Sequence, residues 1–155
     1  MYSHVDTEWL GLYNNSLNGT IPENMNLPSM YYLDLGHNNL AGPVPNGWFD
    51  TMVNLKILYL DHNDFAGGLP QDWSNPQLSH FIVNDNQFTG EVPSRFDSQN
   101  LTTVQVQNNA FTSIKNELCQ QSIFVQGNGK IVTLGADCDI CGCETLCDQC
   151  SAGSE

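Results

Sequence analysis

Basic side chains are scarce in this chain: four Lys and Arg stand against 17 Asp and Glu, a formal charge of −13. Nucleic-acid binding through a basic patch is therefore excluded, because phosphate contacts need Lys or Arg. An anionic membrane surface repels such a chain, while a basic partner is drawn to it. No apolar run approaches the ~18 residues that a membrane span needs, and no lipidation signal is present. Cysteine is missing from the first 118 residues and then occurs six times in the last 37. There is no Gly-rich phosphate loop after a strand, no H-E-x-x-H and no nucleophile elbow, so nothing points to an enzyme. No leader stands at Met1, and the chain is read as a mature or truncated form.

What is present is a repeat. The stretch Leu33–Pro45 reads L-D-L-G-H-N-N-L-A-G-P-V-P, with Leu33, Leu35, Asn38, Leu40, Gly42, Val44 and Pro45 as its frame. The frame recurs around Asn15, Asn63 and Asn86, and a worn copy around Asn109 has Ser113 in place of Gly. The Asn residues stand 23, 25, 23 and 23 positions apart, a period that marks a solenoid. Each L-x-L pair alternates with period two, as in a short strand with one buried face, and only stacked neighbours can bury that face. The ladder Asn15, Asn38, Asn63, Asn86 and Asn109 falls where the chain leaves the strand. Its amides are expected to point inward and bond the backbone of adjacent coils.

The pattern L-x-x-L-x-L-x-x-N-x-L-x-G-x-I-P resembles the plant-type leucine-rich repeat over roughly residues 4–116. The resemblance implies a strand-dominated solenoid of the α/β type, a right-handed superhelix. Its concave face is a parallel sheet of about five short strands, one per repeat, and its convex side is irregular or 3₁₀. Two regions follow: a solenoid over 1–116 and a Cys-rich cap and tail over 117–155. Residues 1–9 hold only the back half of a repeat with no capping element. The first coil is expected to expose an edge strand and an apolar end, in a protein that starts further upstream or pairs there with another chain.

Three residues after each Pro stands a large apolar side chain: Met25, Trp48, Trp73 and Phe96. These are expected in the core under the convex side. The segment between Pro45 and Leu55 is two residues longer than its counterparts and accommodates a short helical turn over Trp48–Met52. Beyond the repeats, the β-like runs Ile123–Gln126 and Lys130–Leu134 flank Gly127-Asn128-Gly129 and read as a closing hairpin.

The cysteines admit two readings. Two C-x-x-C pairs suit a tetrahedral zinc site, but only five residues separate Cys141 from Cys147, where a zinc ribbon has about 15–20. An even number at one end suits disulfides in an oxidising compartment. Cys119–Cys138 is then the expected bridge, with two more among Cys141, Cys143, Cys147 and Cys150. The sequons at Asn14, Asn18 and Asn100 support secretion and glycosylation. The ending A-D-C-D-I-C-G-C-E-T-L-C-D-Q-C also resembles the Cys-rich caps of algal leucine-rich-repeat proteins.

Stacking the strands in parallel sets residues in columns across the concave face. One column is Trp9, Tyr32, Ile57, His80 and Thr103; the next is Gly11, Asp34, Tyr59, Ile82 and Gln105. Then come Tyr13, Gly36, Asp61, Asn84 and Gln107, followed by Asn14, His37, His62, Asp85 and Asn108. Aromatic residues rimmed by polar ones are what interface hot spots use, and the acids favour a partner carrying Lys or Arg. The ligand-binding candidates are therefore Trp9, Tyr13, Tyr32, Asp34, His37, Ile57, Tyr59, Asp61, His62, His80 and Asp85, with the fifth coil set aside as plain Gln, Thr and Asn. His37, His62 and Asp85 could share an ion across strands or form a pH-sensitive contact. Three exposed polar residues in a solvated ladder are the commoner case, and no metal and no cofactor is assigned. An ice-binding array of Thr is not met by the outward residues Asn18, Ala41, Ala66, Thr89 and Thr112.

The resemblance implies an extracellular or cell-surface module that recognises a protein or peptide on its concave face, in a receptor-like, defence or signalling role. A glycan is a further ligand class. The alternatives are an inhibitor of a secreted cell-wall hydrolase, similar to polygalacturonase inhibitors, or a Cys-rich metal-binding protein.

Overall fold

The computed structural model describes residues 7–25, 27–71, 75–93, 100–114, 133–137 and 140. It is a solenoid of two parallel sheets. The concave sheet has the strand order β1 (Trp9–Gly11), β3 (Tyr32–Asp34), β5 (Ile57–Tyr59), β7 (His80–Ile82), β9 (Thr103–Gln105) and β11 (Thr133–Gly135). Every pairing is in register, so Leu10, Leu33, Leu58, Phe81, Val104 and Leu134 stand side by side. All but Leu10 are buried. Each full burial of such a side chain contributes about 1.5–3 kcal/mol, and no single coil could hide its row alone.

The Asn ladder closes the backbone where each strand ends. Asn63 accepts from the Leu40 N–H at 3.0 Å and donates to the carbonyls of Leu35 at 2.9 Å, Leu60 at 3.2 Å and Asp61 at 3.1 Å. Asn38, Asn86 and Asn109 repeat this pattern between their own pairs of coils. One amide therefore satisfies groups on two adjacent coils, which are otherwise expensive to bury.

The side following the ladder is more regular than expected. A second parallel sheet runs through β2 (Asn18–Gly19), β4 (Asn39–Gly42), β6 (Asp64–Gly68), β8 (Gln87–Val92) and β10 (Ala110–Ile114). Leu40, Phe65, Phe88 and Phe111 point inward from it, and the three Phe rings stack at successive centroid distances of 6.1 Å. The register is staggered: Gly42 pairs with Phe65, Gly67 with Phe88 and Gly90 with Phe111. These glycines have φ between +78° and +88°, a turn that a side chain would strain.

The helical turn in the long second coil is α1 (Asn46–Thr51). No side chain caps it, and it is held by Trp48 and Phe49, which are buried. Met25 packs against the core as expected; Trp73 and Phe96 lie outside the described residues.

The sheet gains a sixth strand from the region expected to cap it. Only residues 133 and 134 of the Lys130–Leu134 run are described. They belong to β11, which pairs in parallel with β9 and accepts the Val106 N–H on the Gly135 carbonyl at 2.8 Å. The physical reason is the unpaired edge that a fifth coil leaves; β11 covers it and adds buried Leu134 to the core row. The first arm of the expected hairpin, Ile123–Gln126, and all six cysteines lie outside the described residues. Among the described residues, no helix is long and apolar enough to cross a membrane.

Candidate functional site

The concave sheet carries a continuous run of rings. Trp9 stacks on Tyr32 at 5.3 Å, Tyr32 meets Tyr59 edge-on at 6.0 Å, and Tyr59 meets His80 edge-on at 6.4 Å. Trp9 also folds across its own coil: a Cβ on Gly11 would lie 2.6 Å from the indole. A second row runs alongside, in which Tyr13 packs on His37 at 4.9 Å and His37 stacks on His62 at 4.0 Å. In-register strands place equivalent residues about 4.8 Å apart, close enough for aromatic side chains to touch from coil to coil.

The acids lie between the two rows. Asp34 is buried, a correction to its expected place as an exposed rim acid. Its carboxylate accepts the Tyr32 hydroxyl at 3.0 Å and the Gly36 N–H at 3.0 Å. Asp61 is partly exposed, and its Oδ2 lies 3.5 Å from His37 Nε2 and 3.1 Å from His62 Nδ1. Gly36 makes room for both acids, since a Cβ there would meet Asp61 Oδ1 at 2.8 Å and Asp34 Oδ1 at 3.3 Å. Asp85 receives Nδ2 of Asn84 and of Asn108, at 2.6 Å and 2.8 Å.

This surroundings shifts three groups. Burial, then the hydrogen bond and negative charge of Asp34, push the Tyr32 hydroxyl up to about 12. Burial and the charges of Asp34 and Asp61 raise Tyr59. Burial lowers His80, favouring its neutral ring.

A shallow cleft of about 490 Å³ opens over the sheet, lined by Tyr13, Asp34, His37, Tyr59, Asp61, His80, Ile82, Thr103 and Gln105. It brings together six of the candidate residues. Trp9, Tyr32, Ile57, His62 and Asp85 flank it rather than line it. The cleft also reaches the fifth coil, set aside in the sequence, through Thr103 and Gln105. Those two residues, with Ile82, stand in the same columns as the aromatics, and column position was the signal for them; their plain chemistry was not.

The fourth column has a backbone role as well. Asn14, His37, His62, Asp85 and Asn108 all have φ between 52° and 56°. This left-handed conformation favours Asn, Asp and His over other non-Gly residues. The composition of the column is thus set partly by the turn out of the strand.

Of the sequons, Asn14 and Asn18 are exposed, while the Asn100 amide donates to the Pro76 carbonyl at 3.2 Å. The residues weighed for an ice-facing array fall on the second sheet, where the stagger pairs Ala41 with Asp64 and Ala66 with Gln87, not with one another.

The model of the leucine-rich repeat family matches residues 7–65. Together with in-register coils closed by an Asn ladder, this gives the chain the fold of a leucine-rich-repeat solenoid. Among solved structures it is similar to pollen receptor kinase 3, at 26% identity and a TM-score of 0.73, over 85% of this chain and 62% of that one. It is similar to a chain of the BIR3–SERK2 complex from Arabidopsis thaliana, at 27% identity and a TM-score of 0.67, over 86% and 69%. It is also similar to a chain in the structure of the Arabidopsis receptor kinase HAESA with the peptide hormone IDA and the co-receptor SERK1, at 26% identity and a TM-score of 0.66. There the match covers 84% of this chain and 22% of the other, so this chain spans a part of such proteins. No curated protein matches its sequence.

Proposed function

We propose that the chain is a non-enzymatic recognition module, extracellular or at the cell surface, that takes a protein or peptide along its concave sheet. The observation that carries this reading is the cleft itself: the partly exposed Asp61 carboxylate, with the buried Asp34 nearby, set between a run of aromatic rings and a second row of rings. A Lys or Arg of the partner finds negative charge there, and its aliphatic stem finds Tyr59 and Ile82. Aromatic side chains give large contact area with little rotamer entropy to lose. The similarity to receptor kinases, one of them crystallised with a peptide hormone, supports the same class of ligand and a cell-surface compartment.

The test is a panel of synthetic peptides and secreted proteins graded by Lys and Arg content, with affinity measured in solution. Basic members should bind, and binding should weaken with salt. Tyr59→Ala should lower affinity at least about tenfold with little change in thermal midpoint, and Asp61→Asn should remove the preference for basic ligands. Equal binding of acidic and basic members, or unchanged affinity in both variants, would overturn the placement.

A further inference from the structure

We propose that His37, Asp61 and His62 form a binding site for a borderline divalent transition-metal ion, with Zn²⁺ the natural occupant. Their donor atoms all lie within 4.8 Å of one another. Asp61 Oδ2 is the centre, 3.5 Å from His37 Nε2 and 3.1 Å from His62 Nδ1. Two imidazoles and one carboxylate are a donor set that zinc accepts in tetrahedral geometry, with one position left open. Magnesium and calcium need six or more oxygen ligands, which this set does not supply.

The backbone prepares the site. His37 and His62 share the left-handed conformation, at φ 53° and 52° on adjacent coils, so their rings project side by side and stack at an interplanar angle of 12°. Their side chains are 37% and 46% exposed. Drawing the donors to the ~2.0–2.2 Å of a zinc shell requires these half-exposed rings to turn about their side-chain bonds.

An outer layer is also in place. With Nδ1 of His62 turned to Asp61, its other ring nitrogen lies 3.5 Å from Asp85 Oδ2. Asp85 is itself fixed by the amides of Asn84 and Asn108. A carboxylate behind a ligating imidazole fixes the ring tautomer and raises its basicity. His37 and Asp61 also line the cleft, so an ion held here is within reach of whatever the cleft binds.

The sequence offered His37, His62 and Asp85 as a column, but Asp61 is the nearer acid and Asp85 stands behind His62. The cysteines of the tail are competing zinc ligands, and the experiment must separate them. The full chain, with any free thiols alkylated, is titrated with ZnCl₂ in a calorimeter, alongside His37→Asn/His62→Asn. Asn already occupies this backbone position at residues 14 and 108, so the double variant should fold, as its circular dichroism and thermal midpoint would verify. One equivalent of zinc should bind the native chain. Affinity should fall by about 100-fold or more in the double variant and by about 10–100-fold in Asp85→Asn. Excess CaCl₂ should not compete. No zinc uptake by the native chain, or uptake unchanged in the folded double variant, would overturn the proposal.

Discussion

Asn38, Asn63, Asn86 and Asn109 are one residue type repeated from coil to coil, while the residue just before each changes from His37 to His62, Asp85 and Asn108. The two columns belong to the same turn and differ by one step along the chain. The Asn side chains face inward, and their amides satisfy the backbone of neighbouring coils. The side chains before them face out and meet one another and nearby acids, while their backbone joins the coils: the His37 N–H donates to the Asp61 carbonyl and the His62 N–H to the Asn84 carbonyl in the next coil. Both positions are constrained by the fold, but in different currencies. One must supply donors and an acceptor at fixed points. The other must tolerate positive φ, a demand that several polar residues meet, so its side chain is left free to vary.

The largest expected effect comes from breaking the inward column. Asn63→Ala removes the acceptor for the buried Leu40 N–H and the donor to three carbonyls. With unsatisfied buried groups at about 1–3 kcal/mol each, the loss should be on the order of 3 kcal/mol or more, lowering the thermal midpoint by roughly 6–12 °C. Asn15 provides the internal control. It is exposed and, among the described residues, its amide reaches only Leu12 and Tyr13 of its own coil. Asn15→Ala should therefore cost well under half as much. Equal losses in a denaturant titration would mean that the ladder does not act by joining coils.

This contrast also explains what could be read from the sequence. The buried rows of L-x-L and the Asn ladder follow from period and residue type, because each coil repeats the same demand at the same spacing. The extra turn α1 followed from two added residues between Pro45 and Leu55. The second sheet did not, because Leu40, Phe65, Phe88 and Phe111 announce an inward position without saying whether the residues around them pair. Strand β11 was hidden for another reason. Thr133–Gly135 carries no repeat frame, and only the unpaired edge of β9 makes a strand of it. On the concave face, columns predicted which residues share a surface but not how side chains lean. Asp34 therefore looked like a rim acid until the Tyr32 hydroxyl and the Gly36 amide closed on it.

A smaller effect sharpens the outward column. His62→Val places a β-branched side chain at φ 52° and should cost about 1–2 kcal/mol. His62→Asn should be close to neutral, because Asn tolerates that region. The difference between the two variants in urea midpoints at an unchanged m-value isolates the backbone demand from the ring contacts, since both lose the imidazole. If the two were equally stable, the composition of the column would owe nothing to backbone conformation.

The smallest effect concerns Asp34, which sits on the outward face yet is closed like the inward Asn. Its carboxylate accepts the Tyr32 hydroxyl at 3.0 Å, and burial with that bond carries Tyr32 from an ordinary 10.0 to about 12. A folded-state value above the unfolded one means that the native state holds the phenolic proton longer. The associated stability is present below pH 10 and is lost as pH rises from about 10 through about 12. The difference in tyrosinate absorbance between the native chain and Tyr32→Phe should show one phenol ionising near the upper value. Asp34→Asn should move that ionisation down, though not fully to 10.0, because burial is the larger cause. A Tyr32 that titrates with the ordinary phenols would instead make Asp34 an open rim acid, with its charge as available to a basic partner as that of Asp61.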